Sequence, residues 1–126
     1  TIKIGRTKFR LYGLDAPELE QICLDAQGEE YKCGESSRDY LISLLNGKTP
    51  KCYTKEKDKY GRSVGICFND KGESINAQMV KAGWAVAYTR YSLAYAAYEV
   101  WARTRSQGIW AGDFQTPEEY RHSDKK

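Results

Sequence analysis

Residues 9–18 read Phe9-Arg10-Leu11-Tyr12-Gly13-Leu14-Asp15-Ala16-Pro17-Glu18. Phe9 and Leu11 flank Arg10 with the period-two pattern of a strand, and a turn stiffened by Pro17 then presents two carboxylates, Asp15 and Glu18, three residues apart. Upstream, Ile2 and Ile4 alternate with polar residues and Gly5-Arg6 offers a tight turn, so a first strand precedes this one. Downstream, residues 15–34 lack periodicity and contain Pro17, Gly28 and Gly34, the composition of a loop. A helix is expected from about Glu35, with Tyr40, Leu41, Leu44 and Leu45 inward and Gly47 just past its end. Residues 50–55 read as a strand, residues 57–61 as a loop, and Val64, Ile66 and Phe68 alternate in the next strand. Asn69-Asp70-Lys71-Gly72 is a turn. A short helix over Ile75–Ala82 follows, capped by Ser74 and stopped by Gly83. Trp84–Tyr88 is extended. Leu93, Ala96, Ala97, Val100 and Trp101 recur at helical spacing behind Ser92, which can cap the helix, with Gly108 as the stop, and Trp110, Phe114 and Pro117 read as a tail packed on the body. The order is strands, helix, strands, helix, helix. It suits an α+β fold, mainly β: a small β-barrel decorated by about three helices.

A chain of 126 residues builds one domain, 1–126, around a single core. Apolar residues at 40% and charged residues at 29% exclude a disordered tail. No apolar run approaches the roughly 18 residues that span a bilayer, so no membrane partner is expected. The chain starts at Thr1 without a Met or a recognisable leader, which reads as a trimmed or processed form. The net charge of +3 is a modest positive field, compatible with a polyanion without requiring one. Ten Tyr against three Phe could stack on bases or simply pack half-buried in a sheet.

Four cysteines, Cys23, Cys33, Cys52 and Cys67, occur without Cys-x-x-Cys and beside one His, so a zinc site is not expected. An even count in a small domain points to two disulfides and an oxidising compartment; the alternative is four reduced, partly buried thiols in a cytosolic protein. A hairpin that pairs Glu56 with Ser63 also sets Cys52 opposite Cys67. A Cys23–Cys33 bridge is expected within the loop after Glu18.

Phosphodiester hydrolysis needs a specific kit. Extra negative charge on the phosphoryl oxygens is best met by guanidinium forks, a water must be oriented or deprotonated by a carboxylate, and a hard cation held by oxygen ligands can polarise the phosphate. Arg10, Asp15 and Glu18 in the first segment and Asp58-Lys59-Tyr60-Gly61-Arg62 in a second supply that kit. Each residue alone has a plainer reading. Arg10 and Arg62 could be surface partners of Asp15 and Asp58, Asp15 a turn cap, Glu18 a solvated charge beside Glu20, and Gly61 a residue needed for positive φ.

Together, Arg-x-x-x-x-Asp-x-Pro-Glu followed by Asp-x-Tyr-Gly-Arg resembles the staphylococcal nuclease family. So do Met79-Val80-x-x-Gly83, Glu99-x-x-Ala102 and Gly108-Ile109-Trp110, so that the resemblance covers nearly the whole chain. It implies an OB-fold five-stranded barrel with three helices and a calcium-dependent nuclease acting on DNA, RNA or both with little sequence preference. It implies Arg10 and Arg62 as transition-state arginines, Glu18 as the carboxylate that activates or orients water, and Asp15 with the main-chain carbonyl of Ala16 as calcium ligands. Lys59 and Tyr60 would contact substrate phosphate, and Tyr88 would flank the nucleotide pocket. Some relatives have a further Tyr after that position, for which Arg90 and Tyr91 compete, so neither is carried over. The family's Asp-Gly-Asp-Thr segment aligns its Thr with Thr1, so a further acidic ligand, part of the first strand and a covered sheet edge are expected upstream. The resemblance fits a secreted or periplasmic monomer, with association possible through an open sheet edge. A second reading is an OB-fold module that binds nucleic acid or protein without cutting; such copies lose the arginine–glutamate–arginine set that Arg10, Glu18 and Arg62 supply here. A third, a secreted structural domain, accounts for the cysteines but not for that set.

Overall fold

In the computed structural model, residues 2–4, 6–89 and 92–123 are described. Strands β1 (Ile2–Ile4) and β2 (Thr7–Leu11) pair antiparallel, Ile2 opposite Phe9. After Leu11 the chain turns through Gly13, at φ 80°, into β3 (Leu14–Asp15). A Cβ at Gly13 would lie 2.8 Å from the Tyr95 ring, so both the positive φ and the close ring require glycine. The stretch 15–34, expected to be loop, carries a short antiparallel pair, β4 (Cys23–Leu24) and β5 (Glu30–Tyr31). Helix α1 (Cys33–Leu45) starts two residues before the expected Glu35. Its Tyr40, Leu41, Leu44 and Leu45 pack on the core as expected, and Asn46 and Gly47 close it in the left-handed region.

Next come β6 (Lys51–Lys57) and β7 (Ser63–Phe68), an antiparallel hairpin with Cys52 opposite Cys67. The expected Glu56–Ser63 pair is corrected: a bulge between Thr54 and Glu56 shifts the register by one, so Glu56 faces Val64 and Lys57 faces Ser63. The bulge lies beyond the cysteines and leaves their pairing intact. Helix α2 (Ile75–Lys81) begins where Ser74 Oγ accepts the Ala77 N–H at 3.1 Å. Then follow β8 (Val86–Ala87), α3 (Ala96–Thr104), a 3-10 turn over Gly108–Ala111 and α4 (Pro117–Ser123). Ser92 does not cap α3; its Oγ accepts the Ala94 N–H, and the helix starts after Tyr95.

The main sheet runs in the order β1-β2-β7-β6, with β2 and β7 parallel and Arg10 opposite Val64. β3 leaves this sheet to pair antiparallel with β8, Asp15 opposite Val86. Among the described residues these ladders do not join into a closed five-stranded barrel, because Gly13 diverts the chain from β7 onto β8. The described residues also hold four α-helices rather than three. The extra one is α4, where Thr116 and Glu119 bond each other's backbone N–H groups in a capping box and Pro117 takes the first helical position.

The core gathers Ile2, Phe9, Leu11 and Leu14 from the strands with Ile75, Met79 and Val80 from α2. Side chains of this size contribute about 1.5–3 kcal/mol each when fully buried. Asn76, fully buried, donates to the carbonyls of Tyr12 and Gly65 and accepts the Cys67 N–H, pinning α2 to the β2–β7 seam. A second cluster forms around Cys23, Cys33 and Ile109, with Trp110 and Phe114 ring to ring at 4.9 Å. Both expected disulfides, Cys23–Cys33 and Cys52–Cys67, are present, and none of the four cysteines is free.

Candidate active site

Parallel pairing of β2 with β7 puts Arg10 on one strand beside Arg62 at the entry to the next. β3 and the Pro17 turn bring Asp15, Ala16 and Glu18 against them. These five residues line one cleft of about 460 Å³, with Arg38 and Arg121 on its walls. Four arginines and two carboxylates leave the cleft positive, the sign that attracts a phosphate backbone.

The carboxylates are held from far along the chain. Asp15, 6% exposed, receives Arg121 Nη1 at 3.1 Å and Nη2 at 2.7 Å, while Arg121 Nη1 also reaches Glu18 Oε1 at 2.8 Å. Hydrogen bonding from Asp15, the largest cause, and from Glu18 raises the Arg121 guanidinium further above its already high ordinary value, against the opposing effect of burial. Arg10 Nη2 stands 3.8 Å from Asp15 Oδ1. Gln21, fully buried, accepts the Glu18 N–H at 3.2 Å and donates to the Gln115 carbonyl at 2.7 Å. It therefore ties the Glu18 loop to the segment that leads into α4. The start of α1 packs under the same loop: a Cβ on Gly34 would overlap the Glu18 carbonyl.

Arg62 is held locally. Asp58 Oδ2 accepts Arg62 Nε at 2.7 Å, and Asp58 Oδ1 accepts the backbone N–H groups of Tyr60 and Arg62. Desolvation opposes ionisation of Asp58, but these hydrogen bonds and the Arg62 charge outweigh it and hold the carboxyl below its ordinary value. The bond to Asp58 uses Nε and leaves the two terminal nitrogens for a ligand in the cleft. Gly61 closes the turn at φ 80° with open space around it, so its backbone angle is the reason for glycine there.

Lys59 and Tyr60 stand at the tip of this turn rather than in the cleft. Tyr60 is 72% exposed, with Lys59 Nζ 5.3 Å and Arg62 Cζ 5.6 Å from its ring centre. Tyr88 lines a neighbouring cleft of about 240 Å³ with Val86, Glu99, Trp110 and Pro117, and Asp15 is common to both clefts. Arg90 and Tyr91 lie outside the described residues. Glu99 accepts the Ala87 N–H at 2.9 Å, which gives this motif residue a structural task between α3 and β8.

Residues 8–112 match the family model described as staphylococcal nuclease homologue. The chain belongs to the staphylococcal nuclease family. Among its relatives, a succinoglycan biosynthesis protein of Rhizobium meliloti (strain 1021) is 37% identical over 112 residues, 87% of this chain and 59% of that protein. A "Probable staphylococcal-like nuclease" of Oryza sativa subsp. japonica is 34% identical over 117 residues, 90% of this chain and 32% of that protein. An uncharacterized endonuclease of Escherichia coli O157:H7 is 32% identical over 106 residues, 82% of this chain and 63% of that protein. The chain thus spans less than two thirds of each of these relatives. Arg121 lies beyond the residues that the nuclease family model matches. Arg121 is absent from the residues expected at the site because Trp110, Phe114 and Pro117 read as a packed tail; Thr116-x-x-Glu119 with Pro117 between them is the signal that a helix starts there.

Proposed function

We propose that this chain is a calcium-dependent nuclease that hydrolyses phosphodiester bonds of DNA or RNA with little sequence preference, on an OB-type barrel. The observation that carries the reading is the convergence of Arg10, Arg62, Asp15 and Glu18 from separate elements on one cleft. The names of the rice and Escherichia coli relatives point the same way. Asp15, Glu18 and the Ala16 carbonyl offer oxygen only, the donor chemistry of a hard cation. Both carboxylates already converge on one positive group, the Arg121 guanidinium, so charge and direction fit a cation. Among the described residues no group of three or more His, Cys, Asp and Glu side chains could hold a metal, so water and substrate phosphate would complete an open coordination sphere. Bound there, calcium would polarise the scissile phosphate.

The chain's own residues do the rest. Glu18 orients the attacking water and takes its proton as the oxygen bonds to phosphorus. Arg10 and the terminal nitrogens of Arg62 meet the equatorial oxygens, where charge grows as the bond to the leaving oxygen breaks. Asp58 fixes the Arg62 guanidinium before substrate arrives. Lys59 and Tyr60, at the tip of the turn, engage the flanking phosphate, and Tyr88 packs beside the nucleotide next to Asp15.

The two disulfides support a secreted or periplasmic location. No described helix is long and apolar enough to cross a membrane. We read the chain as a monomer: the β6 edge of the sheet is guarded by Lys51, Lys55 and Lys57, and β1 is the edge open to association. The test is incubation with labelled single-stranded DNA and RNA in calcium and then in chelator. Cleavage that stops in chelator is expected. Binding without cleavage in calcium would overturn the enzyme in favour of a binding module.

A further inference from the structure

Arg121 sits where the proposed function needs a cation. Its guanidinium covers both oxygens of Asp15 and one oxygen of Glu18, all within 3.1 Å. A divalent ion bound directly to Asp15 would meet a fixed positive charge at contact distance, and like charges at one site exclude each other. The side chain is 32% exposed, so it has an exit to solvent.

The anchoring around it is uneven. Before α4 the chain is fastened: the Asp113 carbonyl accepts the Leu24 N–H, the Gln115 carbonyl accepts Gln21 Nε2, and Pro117 is fully buried. Arg121 lies one helical turn past Pro117, on a helix of seven residues, a length that is marginal without tertiary contacts. Its ion pairs with Asp15 and Glu18 are contacts of that kind, so they fasten the far end of α4 while they occupy the carboxylates.

We propose that Arg121 is an internal cation that gates the site: it neutralises Asp15 and Glu18 while the site is empty and must swing out before a divalent cation can bind them. The gate rests on the reading of these carboxylates as a cation site. It sets cation binding against the Arg121 ion pairs that help to fasten the end of α4, so each weakens the other by the same factor. Cutting is then tied to the local cation concentration, because the intrachain competitor sets the threshold.

The test titrates calcium alone into the whole chain by calorimetry, for wild type, Arg121→Gln and Arg121→Lys, with hydrogen exchange of residues 118–123 measured in parallel. Arg121→Gln is expected to bind calcium at least about fivefold more tightly, the lower end of ordinary coupling between sites. Arg121→Lys should fall between, since an ammonium cannot span both carboxylates as a fork does. In wild type, calcium should speed exchange in 118–123; in Arg121→Gln those amides should exchange fast with or without calcium. The wild-type exchange measurement keeps the test informative if either variant folds poorly. Equal calcium affinity in wild type and Arg121→Gln, or weaker binding in the variant, overturns the gate while the cation site stands. No calcium binding by either protein overturns the cation site itself, and the gate with it.

Discussion

The loop that carries Asp15 and Glu18 is bonded to a residue up to 106 positions away, whereas the turn that carries Arg62 is bonded to a residue four positions away. Arg121 and, through Gln21, the Gln115 carbonyl reach the first loop from the far end of the chain, and the Cys23–Cys33 bridge and Gly34 brace it from the stretch that follows. The second depends on one carboxylate, Asp58, and one positive-φ glycine, with Tyr60 exposed at its tip. The difference suits the two tasks proposed for these groups. A group that aims a water must be preorganised to within a fraction of an ångström. A guanidinium that meets a long, variable polyanion gains from a turn that keeps its own shape but can follow the substrate.

The sharpest break in that comparison comes from removing a principal group on each side. Arg62→Ala is expected to stay folded and to lose on the order of 10²–10³-fold in kcat, the scale for deleting a transition-state donor. Glu18→Gln should slow single-turnover cleavage by roughly 10²-fold or more while substrate binding persists. Near-normal cutting by folded Arg62→Ala, or loss of binding in Glu18→Gln, would withdraw the respective role.

The supports separate the two sides further. Gln21→Ala strips partners from the Glu18 N–H and the Gln115 carbonyl inside the protein, so urea unfolding should show a loss of about 2–3 kcal/mol. A change below about 0.5 kcal/mol would show that the carboxylate loop is not tied to the C-terminal segment in solution. Asp58→Asn should do the opposite. The amide oxygen can keep the turn, but the negative charge that faces the Arg62 guanidinium is lost. Cleavage should slow about tenfold, with little change in the unfolding midpoint.

The smallest effect concerns pH. The folded Asp58 carboxyl titrates below its ordinary value of 3.8, so its stabilising contribution is present above that value and lost as pH falls through the lower, folded one. The Arg62 Nε–H resonance should therefore hold steady from about pH 8 down to about pH 5 and move only at the acid end. Movement near neutrality would mean that another group governs the clamp.

Much of the site was legible in the residues. The residue types of Arg10, Asp15, Glu18 and Arg62 make up a phosphodiesterase kit, the resemblance to the nuclease family implies their roles, and the structure brings all four to one cleft. The turn around Gly61 and the Ser74 cap were legible because local hydrogen bonds decide them. The bulge after Thr54 was not, since alternation in one strand carries no record of an extra residue in its partner. Helix α4 has its capping box written in Thr116 and Glu119, but Trp110, Phe114 and Pro117 also give the segment the apolar signature of a packed tail, and a helix of seven residues is too short to show a period of its own.

By itself, the sequence determined which groups this protein owns and how each is presented over a turn or two. That includes two carboxylates on a Pro-stiffened loop, an arginine on a glycine turn, and cysteines set opposite each other across a hairpin. Short-range geometry decides such features, and short-range geometry is written in neighbouring residues. Only the tertiary structure decided that β2 lies parallel to β7, so that Arg10 and Arg62 line one cleft, and that β3 pairs with β8 after the turn at Gly13. Only it decided that Arg121 rests on Asp15 and Glu18. Those contacts join residues far apart in the chain; they are selected by how the core packs, and no local pattern encodes which distant partner arrives.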